Sequence, residues 1–318
     1  MEQFSDDRHI LERLPGGVLG PLDEALTLFE IHLRETCGLA LPTREYYLRW
    51  TRHFLRTRYG DGPIDFTVLG PEDLRHHVTE QAERLAPGSV RLITASLKSF
   101  LRFLRFQGSC AGRLVEAVPT VAYRRCSGLP KVLTDEQVQH LLASFDRKTA
   151  VGLRDHAMAL CLSGLGLRAG EVAGLDLEDI DWRAGTIRIA RAKARRARGL
   201  PLPAEVGRAV AVYLQRGRPR TSARRIFLRH RSPVGPIGTR DVCSAIRAGW
   251  LRARMDVPST GAHALRHTMA TRLLRSGASL KHIADILGHR HLDTTAIYAK
   301  VDLARLEEVA LPWPELRS

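Results

Sequence analysis

Between Ile180 and Pro203 the chain reads IDWRAGTIRIARAKARRARGLPLP. Thr186-Ile187-Arg188-Ile189 alternates polar and apolar residues, Leu200 and Leu202 alternate again, and a basic turn lies between them. Period-two alternation marks half-buried strands, so the segment reads as a small antiparallel hairpin. On both sides the apolar spacing is helical. Downstream, helices are expected at Ala204–Gln215, Asp241–Met255, Ala264–Ser276, Leu280–Leu287 and Thr294–Val301, with Gly277 and Gly288 where helix-ending glycines belong. Upstream, Thr134 with Gln137 three residues later forms a capping box for a helix over Asp135–Ala143, and Lys148–Ser163 follows. The C-terminal part is thus mixed α/β around one small sheet.

The N-terminal part shows only helical spacing. Leu26, Leu28, Phe29 and Leu33 fall at helical spacing within Leu22–Leu33, and Tyr46, Leu48, Trp50, Phe54 and Leu55 mark Glu45–Tyr59. A third helix starts near Pro71, with Glu72 and Asp73 in its first turn to complement the helix dipole. After the Pro87-Gly88 break, Ser89–Phe106 places Val90, Ile93, Leu97, Leu101 and Leu104 on one side and Arg91, Lys98, Arg102 and Arg105 on the other. Residues 108–130 carry Gly112, Pro119, Gly128 and Pro130 and read as a linker. The expectation is a mainly α chain: a helical domain over 1–107, a linker, and the mixed domain over 131–318.

The chain has 318 residues, with 49 Lys+Arg against 34 Asp+Glu, a net charge of +15. Residues 1–128 hold 17 cations and 16 anions, whereas residues 129–318 hold 32 and 18. The excess belongs to the C-terminal part and implies a polyanionic partner, most simply nucleic acid. The longest nearly apolar stretch, Ala157 to Leu167, is far short of the about 20 residues that a membrane span needs. The first ten residues lack the basic start and apolar centre of a signal peptide. Cys37, Cys110, Cys126, Cys161 and Cys243 are scattered without a C-x-x-C, which argues against a disulfide scaffold. A cytoplasmic protein is expected.

Four short segments carry chemistry. Gly166-Leu167-Arg168-Ala169-Gly170-Glu171 sets an arginine among apolar residues, with Glu171 one helical turn away to pair with it. Gly164, Gly166 and Ala169 also fit a dinucleotide-binding fingerprint, but the preceding segment is helical where that fingerprint needs a strand. The hairpin turn holds Arg191, Lys193, Arg195, Arg196 and Arg198, residues suited to phosphate. In His263-Ala264-Leu265-Arg266-His267 the two histidines lie one helical turn apart, yet Ala264 stands where a zinc protease needs Glu. Finally, Leu287-Gly288-His289 is followed nine residues later by Tyr298.

In this order the segments resemble the tyrosine site-specific recombinases, the phage-integrase family, whose pattern is Arg…Lys…His-x-x-Arg…His/Trp…Tyr. Arg168, Lys193, His263, Arg266, His289 and Tyr298 fill it. Alanines 192 and 194 replace the glycines usual in the family's G-K-G-x-K-x-R turn, and Lys193 is the only lysine in the run.

The resemblance implies a site-specific recombinase that cuts and rejoins double-stranded DNA without cofactor or metal. Tyr298 is the expected nucleophile, joining the 3′ phosphate and freeing a 5′ hydroxyl. His263 is expected to assist its proton transfer. Arg168 and Arg266 are to clamp the non-bridging oxygens, Lys193 to protonate the leaving 5′ oxygen and His289 to bind the phosphate. Glu171 is expected to orient Arg168. Arg91, Lys98, Arg102, Arg195 and Arg196 are the candidates for further DNA contacts. The resemblance also implies a core-binding N-terminal domain and a tetramer on two DNA sites, joined through a Holliday junction. A second recombinase is a possible partner, and the apolar tail Val301–Ser318 suits a neighbouring subunit. The biological setting would be a mobile-element integrase or transposase, or a chromosome-dimer resolvase. The readings that compete are a DNA-binding relative without catalysis and a topoisomerase-like nicking-closing enzyme.

Overall fold

Helices α1 (Pro21–Glu35), α2 (Leu41–Tyr59), α3 (Pro71–Arg84) and α4 (Pro87–Phe106) each carry proline at the first or second position. Proline suits that place, because its φ is already helical and the missing N–H has no partner there anyway. The Pro87-Gly88 pair therefore opens α4 instead of breaking the chain before it, and α2 starts at Leu41, ahead of the expected Glu45. The structure, a computed structural model, describes residues 20–60, 62–109, 113–120, 131–189, 197–256, 261–289 and 293–298. It divides into two compact units, Met1–Arg125 and Cys126–Ser318.

In the N-terminal unit α4 is the central element. Its Val90, Ile93, Leu97, Phe100, Leu101 and Leu104 are buried, each such side chain contributing about 1.5–3 kcal/mol. The Phe29 ring of α1 meets Phe100 edge-on at 5.1 Å. Ser96 donates to the Tyr47 carbonyl at 2.9 Å and so ties α4 to α2. The opposite face carries Arg91 and Arg102, both exposed, and the half-buried Lys98. A short helix, α5 (Leu114–Ala117), lies inside the stretch expected to be linker. Leu114 and Val118 bury themselves in the N-terminal core, so the packed unit extends past residue 107.

The C-terminal unit starts with α6 (Asp135–Ala143). Thr134 and Gln137 exchange the two hydrogen bonds of the expected capping box, at 3.0 and 3.2 Å. Helix α7 (Ala150–Gly164) runs through the core with Ala157–Ser163 all buried. It leads into the short α8 (Ala169–Ala173). The sheet has three antiparallel strands in the order β1 (Ile180–Asp181), β2 (Thr186–Ile189) and β3 (Arg198–Pro201), so a two-residue strand joins the expected hairpin. Ile187 pairs with Leu200 and Ile189 with Arg198, which sets Arg198 on the inward face with Leu200.

Helices α9 (Ala204–Arg216), α10 (Thr239–Ala253), α11 (Ala262–Arg275) and α12 (Leu280–Leu287) complete the unit, together with the four-residue α13 (Asp293–Ala296). Trp250, Tyr213 and Phe227 are the largest apolar side chains of the main core. A separate cluster of Ala270, Leu274, Ile283, Leu287 and Tyr298 joins α11 to α12. The expected helix over Thr294–Val301 is shorter than the sequence suggested: α13 ends at Ala296, and the Tyr298 amide donates to the Thr295 carbonyl at 3.0 Å. Two adjacent β-branched threonines favour helix weakly, and so short a helix depends on tertiary support. The fold is mainly helical with one small antiparallel sheet. No described helix is long and apolar enough to cross a membrane.

Candidate active site

The site is organised around one carboxylate. Glu171 of α8 receives the Arg168 backbone amide at 2.8 Å and the Arg168 guanidinium at 3.0 Å. From β3, Arg198 grips the same carboxylate with two parallel bonds, both at 3.0 Å. Arg266 of α11 stands 3.8 Å away. Burial acts to raise the Glu171 carboxyl. Hydrogen bonds from Arg198 and the Arg168 amide, with the charge of both arginines, outweigh it and hold the group below its ordinary value.

Arg266 is 2% exposed. It donates to the Gly166 carbonyl at 2.5 Å and the Leu287 carbonyl at 2.7 Å. Arg168 reaches the Leu287 and Gly288 carbonyls at 3.4 and 3.3 Å. Both guanidiniums thus rest on the negative, C-terminal end of α12. Gly166 and Gly288 make this possible: both take left-handed backbone, and a Cβ at Gly166 would lie 2.7 Å from Leu287. Burial pushes the Arg266 guanidinium down to about 10, and the charge of Arg168 pushes the same way, so it remains a cation at neutral pH. Three guanidiniums share one carboxylate. The Arg168 side chain is still 39% exposed, so a second anion has access to it.

Three histidines and the tyrosine complete the group. His263 lies within the influence of Arg266 and Arg168; burial and then those charges lower its basicity. His267 stands edge-on to His263, with ring centres 5.1 Å apart. Burial, His263 and Arg266 push His267 down to about 4. The His289 Nδ1 pairs with the Thr295 hydroxyl at 2.7 Å, which fixes the ring and leaves Nε2 for a ligand. Burial, Arg266 and Arg168 push His289 down to about 4 as well. Both are therefore neutral near pH 7. Tyr298 is 1% exposed; burial raises its hydroxyl above the ordinary value against the pull of Arg266 and Arg168.

Arg168, Glu171, His263, Arg266, His289 and Tyr298 are thus brought together. Lys193, Arg195 and Arg196 lie outside the described residues, as does the tail Val301–Ser318. Arg91, Lys98 and Arg102 lie on α4 of the other unit. Sequence reading gave the Tyr298 proton to His263, whereas the nitrogen at hydrogen-bond distance is His267 Nδ1, 3.0 Å from the hydroxyl. Two neighbours of the site escape the sequence reading. Arg198 reads there as part of the basic turn, although its place two residues before Leu200 puts it on the inward face of β3. His267 reads there only as half of a zinc pair.

Residues 131–305 match the phage integrase family. The chain is 43% identical over 294 residues to a putative integrase/recombinase, y4rA, of Sinorhizobium fredii, covering 92% of this chain and 71% of that protein. It is 32% identical over 282 residues to the tyrosine recombinase XerD of Listeria monocytogenes, covering 86% and 92%. In fold it is similar to the XerH site-specific recombinase bound to its palindromic difH substrate, with a TM-score of 0.70 over 92% of this chain and 97% of that one at 18% identity. A lambda integrase dimer on a core site gives 0.65 over 87% and 94% at 15% identity. Matched along both units and built around the Arg, His and Tyr positions of that pattern, the chain belongs to the phage integrase family of tyrosine recombinases, enzymes that break and rejoin DNA.

Proposed function

We propose that the protein is a site-specific recombinase that cleaves double-stranded DNA through Tyr298 and holds the break as a 3′-phosphotyrosine. The observation that carries this reading is the pair Arg168 and Arg266, held on the carbonyl end of α12 beside the buried Tyr298. A phosphodiester undergoing attack spreads negative charge over its non-bridging oxygens. Two preorganised guanidiniums stabilise that charge with paired hydrogen bonds and no reorganisation at the moment of reaction. His289 adds a donor through Nε2, His263 lines the same position, and Glu171 orients the arginines. Lys193 serves as the general acid for the departing 5′ oxygen, because arginine hardly gives up its proton. The bond energy stays in the phosphotyrosine, so a 5′ hydroxyl from a partner strand reseals the DNA without an external energy source.

Around this centre, the N-terminal helical unit and the catalytic unit each contact the duplex, with Arg91, Lys98, Arg102, Arg195 and Arg196 on phosphates. Four copies act on two sites and exchange strands through a Holliday junction. In support, a lambda integrase tetramer bound to such a junction shares the fold, with a TM-score of 0.63. The work takes place in the cytoplasm, on a mobile element or a chromosome, alone or with a second recombinase.

The test is covalent trapping. Wild-type and Tyr298→Phe protein are mixed in EDTA with nicked duplexes tiled across the DNA that flanks the gene. The expected result is an SDS-resistant adduct with wild type only, formed without metal, on duplexes that contain the site. Tyr298→Phe is expected to bind the same duplexes. An adduct of equal yield from Tyr298→Phe would assign the nucleophile elsewhere.

A further inference from the structure

We infer that His267 is a further catalytic residue, whose Nδ1 takes the phenolic proton of Tyr298 as that oxygen attacks phosphorus. The inference rests on the reading of Tyr298 as nucleophile. Its ground is geometric. The Tyr298 hydroxyl is buried away from water and lies 3.0 Å from His267 Nδ1, within the range for a general base and its proton. Of the histidines around it, His289 has its Nδ1 committed to Thr295, and its ring stacks on the tyrosine ring at 6.4 Å instead of aiming a nitrogen at the oxygen. His263 meets the edge of His267 and is not hydrogen-bonded to the hydroxyl.

The protonation states agree with this. His267 is neutral near pH 7, because burial, His263 and Arg266 all disfavour its cation. This role requires the neutral tautomer with its hydrogen on Nε2, in which the tyrosine donates and Nδ1 accepts. In the free protein the proton stays on oxygen, since a phenol above its ordinary value does not protonate so weak a base. Two changes on the DNA reverse the balance. The phosphate brings negative charge that favours an imidazolium. The phenolic oxygen also becomes a strong acid as its bond to phosphorus forms. The step balances: the Tyr298 Oη–P bond forms as the P–O5′ bond breaks, the phenolic proton passes to His267 Nδ1, and the departing oxygen takes a proton from the general acid proposed above. In resealing, the imidazolium returns its proton to the leaving tyrosine.

Two measurements on the full chain test this. In the first, 15N-histidine NMR compares wild type with Tyr298→Phe, the His267 signal being identified by its loss in His267→Asn. A displaced His267 Nδ1 resonance in Tyr298→Phe is expected; an unmoved one overturns the hydrogen bond and the inference with it. The second uses single-turnover adduct formation on the nicked duplex located by trapping. Asn places a carbonyl oxygen where Nδ1 stands, so His267→Asn keeps an acceptor but cannot hold the proton. It is expected to react about 10²-fold more slowly than wild type with an unchanged melting temperature, and imidazole in the buffer is expected to restore part of the rate lost in His267→Gly. If His267→Asn reacts as fast as wild type, His267 is a positioning residue only. If Tyr298→Phe still forms the adduct, the nucleophile reading fails, whatever the NMR comparison gives.

Discussion

Glu171 and Arg198 show what a single residue decides. Both side chains are 11% exposed, and together they form the two-pronged contact that holds β3 against α8. Arg198→Ala strips two hydrogen bonds from the buried Glu171, which keeps those of Arg168, so it is expected to cost about 1–3 kcal/mol in denaturant unfolding and to slow adduct formation. Arg198→Lys restores the charge without the fork and is expected to recover only part of either. The sign of the pH effect follows from the lowered Glu171 value: its stabilisation is complete above the unfolded carboxyl value and is lost as pH falls through the lower, folded one. Arg198→Ala is therefore expected to flatten the acid limb of a melting curve between neutral and strongly acid pH.

His77 makes the opposite case in the N-terminal unit. It is 2% exposed, and neither ring nitrogen has a hydrogen-bond partner. Burial, with His53 nearby, pushes it down to about 4. The unfolded chain thus binds more protons than the folded one from about pH 6.5 down to that value, and stability falls across that window at up to about 1.4 kcal/mol per unit. His77→Leu is expected to lose less melting temperature than wild type between pH 7.5 and pH 5. None of this was legible beforehand. The positions Arg168, His263, Arg266, His289 and Tyr298 came from the resemblance to a family pattern, which names residues but not their neighbours. The neighbours of Arg198, His267 and His77 come from other elements, and chain order does not record who faces whom.

At the scale of elements, what was legible is what local chemistry decides. The Thr134 cap is realised, and the helix-ending glycine at 288 takes the left-handed backbone that its place required. What escaped the sequence depends on support from elsewhere. Strand β1 has two residues and exists because β2 offers an edge, α5 exists because Leu114 finds the N-terminal core, and α13 stops early. Close packing between elements has its own marker in Gly249 of α10, where a Cβ would come within 2.7 Å of the Phe145 ring and 3.0 Å of Leu141 on α6. Gly249→Ala is expected to destabilise by about 1–3 kcal/mol, read as a shift in denaturation midpoint at unchanged slope. Helix propensity alone would have this substitution stabilise, so the sign of the change separates packing from propensity.

For the whole molecule the governing quantity is charge. The cation excess is concentrated after residue 128, in the unit that holds the candidate site. Binding a duplex releases counterions, and for about 6–10 phosphate contacts the affinity falls about 10³- to 10⁵-fold between about 50 and 200 mM salt. Fluorescence anisotropy on any mixed-sequence duplex is expected to show that slope, and a flat response would contradict phosphate binding.

The Leu287 carbonyl serves both Arg168 and Arg266, the Gly288 carbonyl serves Arg168, and the Leu287 side chain shares an apolar cluster with Tyr298. The two arginines and the tyrosine thus share one support. A force that shifts the end of α12 slackens the grip on both arginines in the stroke that moves the tyrosine. The end of α12 is then a joint common to both, and a substitution that loosens it is expected to register at the arginines and at the tyrosine alike.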